Sequence, residues 1–313
     1  MRTLTANAKN RSVRAAARTR NSFAAMRDRA FTRRSAQRMA MLVVALGIAL
    51  GFAPLPARAA AEPSNPALDR GFSQMYELRF KSARRIFRGY IREHPNDPMG
   101  QVSLAASYLF EEFNDHGVFT PAFFLNNKKL LGGIPHPGHD PAQAAFLQAN
   151  AHARHLAQAI LKTHPNDRNG LFALTLSDGM QSDYDALVAK RDLACLMLLH
   201  QAEKTATSLL AIDPGADDAY LALGAAHYII GCLPAYKRFF LSLGGIHGSR
   251  SLGMSQLEIA AEHGHYLKPF AKVMLALASL REKQPERARK LFLDLHAEFP
   301  ANGVFASEVT QMQ

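Results

Sequence analysis

The chain has 313 residues, 48% of them apolar, and a formal net charge of +11. The charge does not make it a nucleic-acid binder. Residues 1–59 hold 12 of the 37 Lys+Arg and one of the 26 acids, leaving 37 − 12 = 25 basic and 26 − 1 = 25 acidic residues from Ala60 onward. A formally neutral body offers no electrostatic footprint to a phosphate backbone.

The first element in chain order is a leader. Arg-rich sequence runs to Arg38, an apolar run covers Met41 to Ala53, and Pro54, Pro56 and Ala57-Arg58-Ala59 follow. A basic region, a short apolar region and an A-x-A site are the parts of a secretory signal peptide. The apolar run is shorter than the roughly 18–20 residues a spanning helix needs. This predicts residues 1–59 as a leader cleaved near Ala59, residues 60–313 as one helical domain, and a periplasmic or secreted location.

Amphipathic stretches then alternate with turn signals. The pattern predicts helices over 65–78 and 80–93, 99–112 and 142–163, 168–180 and 185–212, 216–231 and 250–263, and 267–283 and 285–298. Asp183-Tyr184-Asp185 reads as a turn or helix start. His94-Pro95-Asn96-Asp97 and His164-Pro165-Asn166-Asp167 are near-copies at helix ends, where proline stops a helix. Asp213-Pro214 and Phe299-Pro300 hold the same place. No stretch alternates as a strand.

Spacing within the pairs is more telling. Gly71 is followed by Ala83, Phe87 and Pro95, and Ala276 by Ala288, Phe292 and Pro300, both at offsets of 12, 16 and 24. Small residues let two antiparallel backbones approach, an aromatic fills the space one turn on, and proline closes the unit. From Gly224 the pattern holds at Phe240 but fails at Tyr236 and Gly248. From Ala105 an insertion displaces the second half.

These offsets resemble the tetratricopeptide repeat (TPR). The resemblance implies an all-α fold, a right-handed α-solenoid of about five TPR-like helical hairpins. It also implies a scaffold that binds a protein or an extended peptide in a concave surface, with no cofactor.

Two long inserted loops interrupt the array, Phe113–Pro141 and Gly231–Ser249. They are alike: Phe123-Phe124-Leu125 precedes Gly132-Gly133-Ile134, and Phe239-Phe240-Leu241 precedes Gly244-Gly245-Ile246. Successive connections of a solenoid emerge along one edge, so the two are expected to form one surface. Phe123, Phe124, Tyr236, Phe239 and Phe240 are its candidate apolar contacts, and Lys128, Lys129, Lys237 and Arg238 its cationic rim. The alternative is that the loops seal the edge of the core.

Catalytic and metal signatures are absent from the sequence. There is no G-x-S-x-G, H-E-x-x-H or G-x-x-x-x-G-K-[ST] pattern. His136, His139 and Asp140 are too few for a metal site without further ligands. Leu193–Leu199 reads as core, and Lys81, Arg84, Arg85 and Arg88 as a solvated helix face. Cys195 and Cys232 lie equally far from the Asp213-Pro214 turn, which puts them at one height on neighbouring helices and makes a disulfide conceivable. The reading that follows is an exported binding or adaptor protein of the cell envelope. A carrier of a small apolar or lipid-like ligand and attachment to a membrane surface through the inserted loops stay open beside it.

Overall fold

Each His-Pro-Asn-Asp tetrapeptide stops one helix and starts the next. His94 closes the helix Phe80–Glu93, and Asp97 opens Pro98–Asp115 by accepting the Met99 N–H at 2.9 Å. Asp167 does the same for Arg168–Leu187, accepting from Gly170 N at 2.7 Å. An aspartate at this position satisfies an orphan amide and faces the positive end of the helix dipole.

The computed structural model describes residues 65–134 and 140–312. The predicted leader, its cleavage near Ala59, and His136 and His139 lie outside the described residues. Among the described residues there are fourteen helices and no strand. In chain order they are α1 (Pro66–Tyr76), α2 (Phe80–Glu93), α3 (Pro98–Asp115), α4 (Pro121–Phe124) and α5 (Asn127–Gly132). Next come α6 (Pro141–Thr163), α7 (Arg168–Leu187), α8 (Asp192–Ile212), α9 (Ala219–Cys232) and α10 (Ala235–Leu243). The last are α11 (Arg250–His263), α12 (Lys268–Arg281), α13 (Pro285–Glu298) and α14 (Gly303–Gln311). The five predicted hairpins are α1/α2, α3/α6, α7/α8, α9/α11 and α12/α13, each packed on the next.

Three boundaries differ from expectation. Asp183, Tyr184 and Asp185 lie inside α7, which runs on to Leu187 because Tyr184 and neighbouring Ser182 are buried there. The inserted loops contain helices of their own, α4, α5 and α10. The chain ends in a further helix, α14, capped by Asn302.

Close approach explains the small residues. A Cβ added to Gly71 would stand 2.2 Å from Phe87 Cε1, so the aromatic occupies the space a side chain would need. The same spacing recurs in every second helix when counted back from the closing turn. Ala153, Ala157 and Pro165 match Ala83, Phe87 and Pro95, as do Ala202, Ala206 and Pro214. In the fourth hairpin the insertion moves the set to Gly253, Leu257 and His265, all at the same 4- and 8-residue steps. The match at Phe240 is therefore a coincidence: Phe240 is exposed, and Leu257 fills the core position. Here two glycines meet, with a Cβ at Gly253 2.5 Å from Tyr228 N and 2.8 Å from Gly224 O.

The array closes on itself. Tyr76 of the first hairpin donates to Tyr266 O at 2.9 Å and accepts, through its carbonyl, the Asn302 side chain at 2.8 Å. His265 Nε2 lies 2.8 Å from Asp69 Oδ1. Phe110, Phe119 and Phe270 cluster with centroids 4.9–5.7 Å apart, joining the second hairpin, the first insertion and the fifth hairpin. One buried core, rich in aromatics, thus runs through all five hairpins.

Three smaller expectations also change. Arg84 is buried, paired with Glu111 at 2.7 Å and lying over the Tyr108 ring, because that face of α2 packs on α3 rather than on water. Leu199 is core, but Leu193 and Met197 are exposed. Both cysteines are thiols rather than halves of a disulfide. Cys195 Sγ lies 3.4 Å from Ser182 Oγ, within its own hairpin. Denatured, non-reduced protein is expected to titrate two thiols per chain; none would mean that the pair closes in solution.

Candidate functional site

The structure treats the two inserted segments differently. In the first, Phe123 and Phe124 are buried. Arg281 of α12 donates to Phe124 O at 3.0 Å and lies over the Phe124 ring. Gly133, at φ +65°, lets Ile134 N reach Leu187 O at 2.8 Å, where a Cβ would collide with the same carbonyl. Lys128 and Lys129 stay on the surface. This insertion seals the edge of the core.

The second insertion does the reverse. Tyr236, Phe239 and Phe240 are 63%, 61% and 67% exposed, and Lys237 and Arg238 are exposed with them. Helix α10 rests on the body through Leu241, which with Ile246 packs against Leu199, Ala226 and Ile230. The expected pairing of Phe123 and Phe124 with Phe239 and Phe240 in one contact surface fails on burial, since the first pair has no free face.

A cleft that sequence reasoning missed opens at the opposite edge, where the turns between hairpins lie. Its volume is about 360 Å³, within the usual range for ligand pockets. Asn65, Asp97 and Asn169 supply polar groups, and Leu68 and Phe172 supply apolar wall. The polar groups are pre-set: Asn169 Nδ2 donates to Asp97 Oδ1 at 2.9 Å, and the Tyr90 hydroxyl donates to Asp97 Oδ2. Arg168 is held by Asp213 at 2.5 Å. The cleft's sequence signal was the repeated tetrapeptide, because both Asp97 and Asp167 line it. A second hollow, lined by Phe110, Phe119 and Phe270, measures about 30 Å³, about the volume of one water.

A polar seam crosses α6 and α7. Asn150 donates to Ser177 O at 3.1 Å, and Arg154 pairs with the fully buried Asp178 at 2.8 Å. Burial pushes the Asp178 carboxyl up to about 6, with Arg154 pulling the other way. Loss of solvent around Asp183, which is only partly buried in α7, pushes its carboxyl up to about 7. A carboxyl whose folded pKa is raised stabilises the native state fully below its unfolded pKa, and that stabilisation is lost as pH rises through the folded value. Stability should therefore fall between about pH 4 and pH 7. Asp183→Asn should gain on the order of 2 kcal/mol at pH 8 and nothing at pH 4. Equal gains at both pH values would refute this assignment, as read from thermal melts.

Among the described residues no three His, Cys, Asp or Glu side chains converge as a metal site would require. The hairpin geometry defines the class: an all-α stack of tetratricopeptide-like helical hairpins, an α-solenoid. No family model and no curated protein matches the chain. Among solved structures it is similar to a thermophilic TPR protein from Thermus thermophilus, at 15% identity and a TM-score of 0.43, over 79% of this chain and 96% of that one.

Proposed function

We propose that the protein is an exported, non-catalytic adaptor of the cell envelope that holds a segment of a partner protein in the cleft at its turn edge. The observation that carries this is the cleft itself, with its preset polar groups beside apolar wall. Amide and carboxylate side chains beside apolar wall suit the alternating polar backbone and side chains of a peptide. The 30 Å³ apolar hollow has no room for a lipid-like ligand, so the carrier reading gains nothing from it. The leader supports export, with Ala60 or Ala61 as the expected first residue on N-terminal sequencing of the processed chain.

The test is site-specific photo-crosslinking in cells. A photoreactive residue at Asn169 should give a discrete adduct with one protein, and the same residue at exposed Lys290 on α13 should not. The adduct should weaken or disappear when an additional Asp97→Ala change removes a carboxylate that lines the cleft. No adduct at 169, or the same adducts at both positions, would rule the cleft out.

A further inference from the structure

Surface helices turn their apolar stripe inward; α10 turns it outward. Tyr236, Phe239, Phe240 and Leu243 follow one another at i, i+3, i+4 and i+7. At 3.6 residues per turn they share an arc of about 100°. All four are at least 61% exposed, Leu243 at 72%. The apolar contact with the body, through the partly buried Leu241, lies on the other side of the helix. Pro234 stands before the helix and Gly244-Gly245 after it, Gly245 at φ +79°, so it is set off from the body at both ends.

The sequence around this stripe carries one sign of charge. From Ala219 to Leu257 it holds no Asp or Glu, while Lys237 and Arg238 are exposed on the helix itself; Arg250 is paired with Glu282 at 3.5 Å. Leu193 and Met197 extend the exposed apolar surface on α8, whose Leu199 seats α10. A stripe of aromatics flanked by Lys and Arg, without acids, is the composition of a helix that lies in a bilayer interface. A protein hot spot favours a pocket around its anchors, whereas this stripe is a convex ridge. No described helix is long and apolar enough to cross a membrane.

We propose that α10 docks the protein on an anionic lipid surface. The stripe from Tyr236 to Leu243 enters the headgroup region, and Lys237 and Arg238 meet the lipid phosphates. The cleft and α10 lie at opposite ends of the hairpin helices. Docked in this way, the protein holds its cleft about 20–30 Å from the bilayer, the length of those helices.

The chain has no tryptophan, so Phe240→Trp supplies a single reporter. The chain from Ala60, which contains every core residue described above, is mixed with vesicles of phosphatidylcholine alone or of equal parts phosphatidylcholine and phosphatidylglycerol. The expected result is co-flotation with the anionic vesicles, a blue shift of the Trp emission, and partition about tenfold stronger than with neutral vesicles, weakened by salt. Phe239→Ser with Phe240→Ser should abolish flotation with an unchanged melting temperature, since both side chains are exposed. Failure to float with anionic vesicles, equal binding to both vesicle types, or binding that survives the double substitution would each overturn the proposal. Crosslinking at Asn169 is read separately and tests the cleft alone.

Discussion

Gly253→Ala is expected to lower the melting temperature by about 6–12 °C, from an overpacking cost of about 3 kcal/mol in a domain of this size. The added methyl would stand 2.5 Å from Tyr228 N and 2.8 Å from Gly224 O. Both neighbours are backbone, so no side chain can swing aside, and α9 and α11 must move apart along their length. Separation would loosen Leu257, whose Cγ and N approach Gly224 from the same crossing. Gly179→Ala is the control. Its Cβ meets nothing within 4 Å, and alanine is the better helix former by about 0.5–1 kcal/mol. If Gly253→Ala melts within a degree of the control, α9 and α11 do not cross as described.

Asp218→Ala should cost about 3 kcal/mol or more, because it strips several buried amides of their acceptor at once. Asp218 is buried just before α9. Its Oδ1 accepts from His265 N at 2.8 Å and Leu267 N at 3.1 Å, and its Oδ2 from Tyr266 N at 2.8 Å. These amides sit at the entrance to α12, where a carboxylate is also favoured by the helix dipole. The same loop delivers Tyr266 to Phe72 and to the Tyr76 hydroxyl. The substitution should therefore loosen contacts of the first hairpin as well, measured as faster amide exchange in α1. A loss confined to residues 264–268, with α1 unchanged, would show that the loop does not hold the ends of the array together.

The hairpins were legible because proline, small residues and aromatics repeat at fixed steps where no insertion intervenes, as from Gly71 to Pro95. Insertions hid the same steps in the second and fourth hairpins, and there Phe240 matched by chance while Leu257 filled the place. Counting back from Pro165 and Pro214 recovers the pattern, because the second helix of each pair keeps its own register. The contrast between the two Phe-Phe-Leu segments was not legible. Burial of Phe124 depends on Arg281, 157 positions away, and such a contact leaves no local periodicity. The cleft was hidden for the same reason, since Asn65, Asp97, Asn169 and Tyr266 converge only when the array curls. The repeated aspartates announced their helix starts, and that both line one cleft follows only from the packing of the hairpins.

An open row of repeats frays from its two ends, and each unit it loses costs one interface. The bonds from Tyr76 to Tyr266 and Asn302 span 190 and 226 positions, so the first and last hairpins are neighbours, and peeling either one breaks two seams. Melting should then be a single transition across all five hairpins, without the gradual end-loss of a linear stack. The same span sets an order on biosynthesis. Contacts between residues so far apart are slow to form, and this core cannot be finished until the ribosome has passed Asn302.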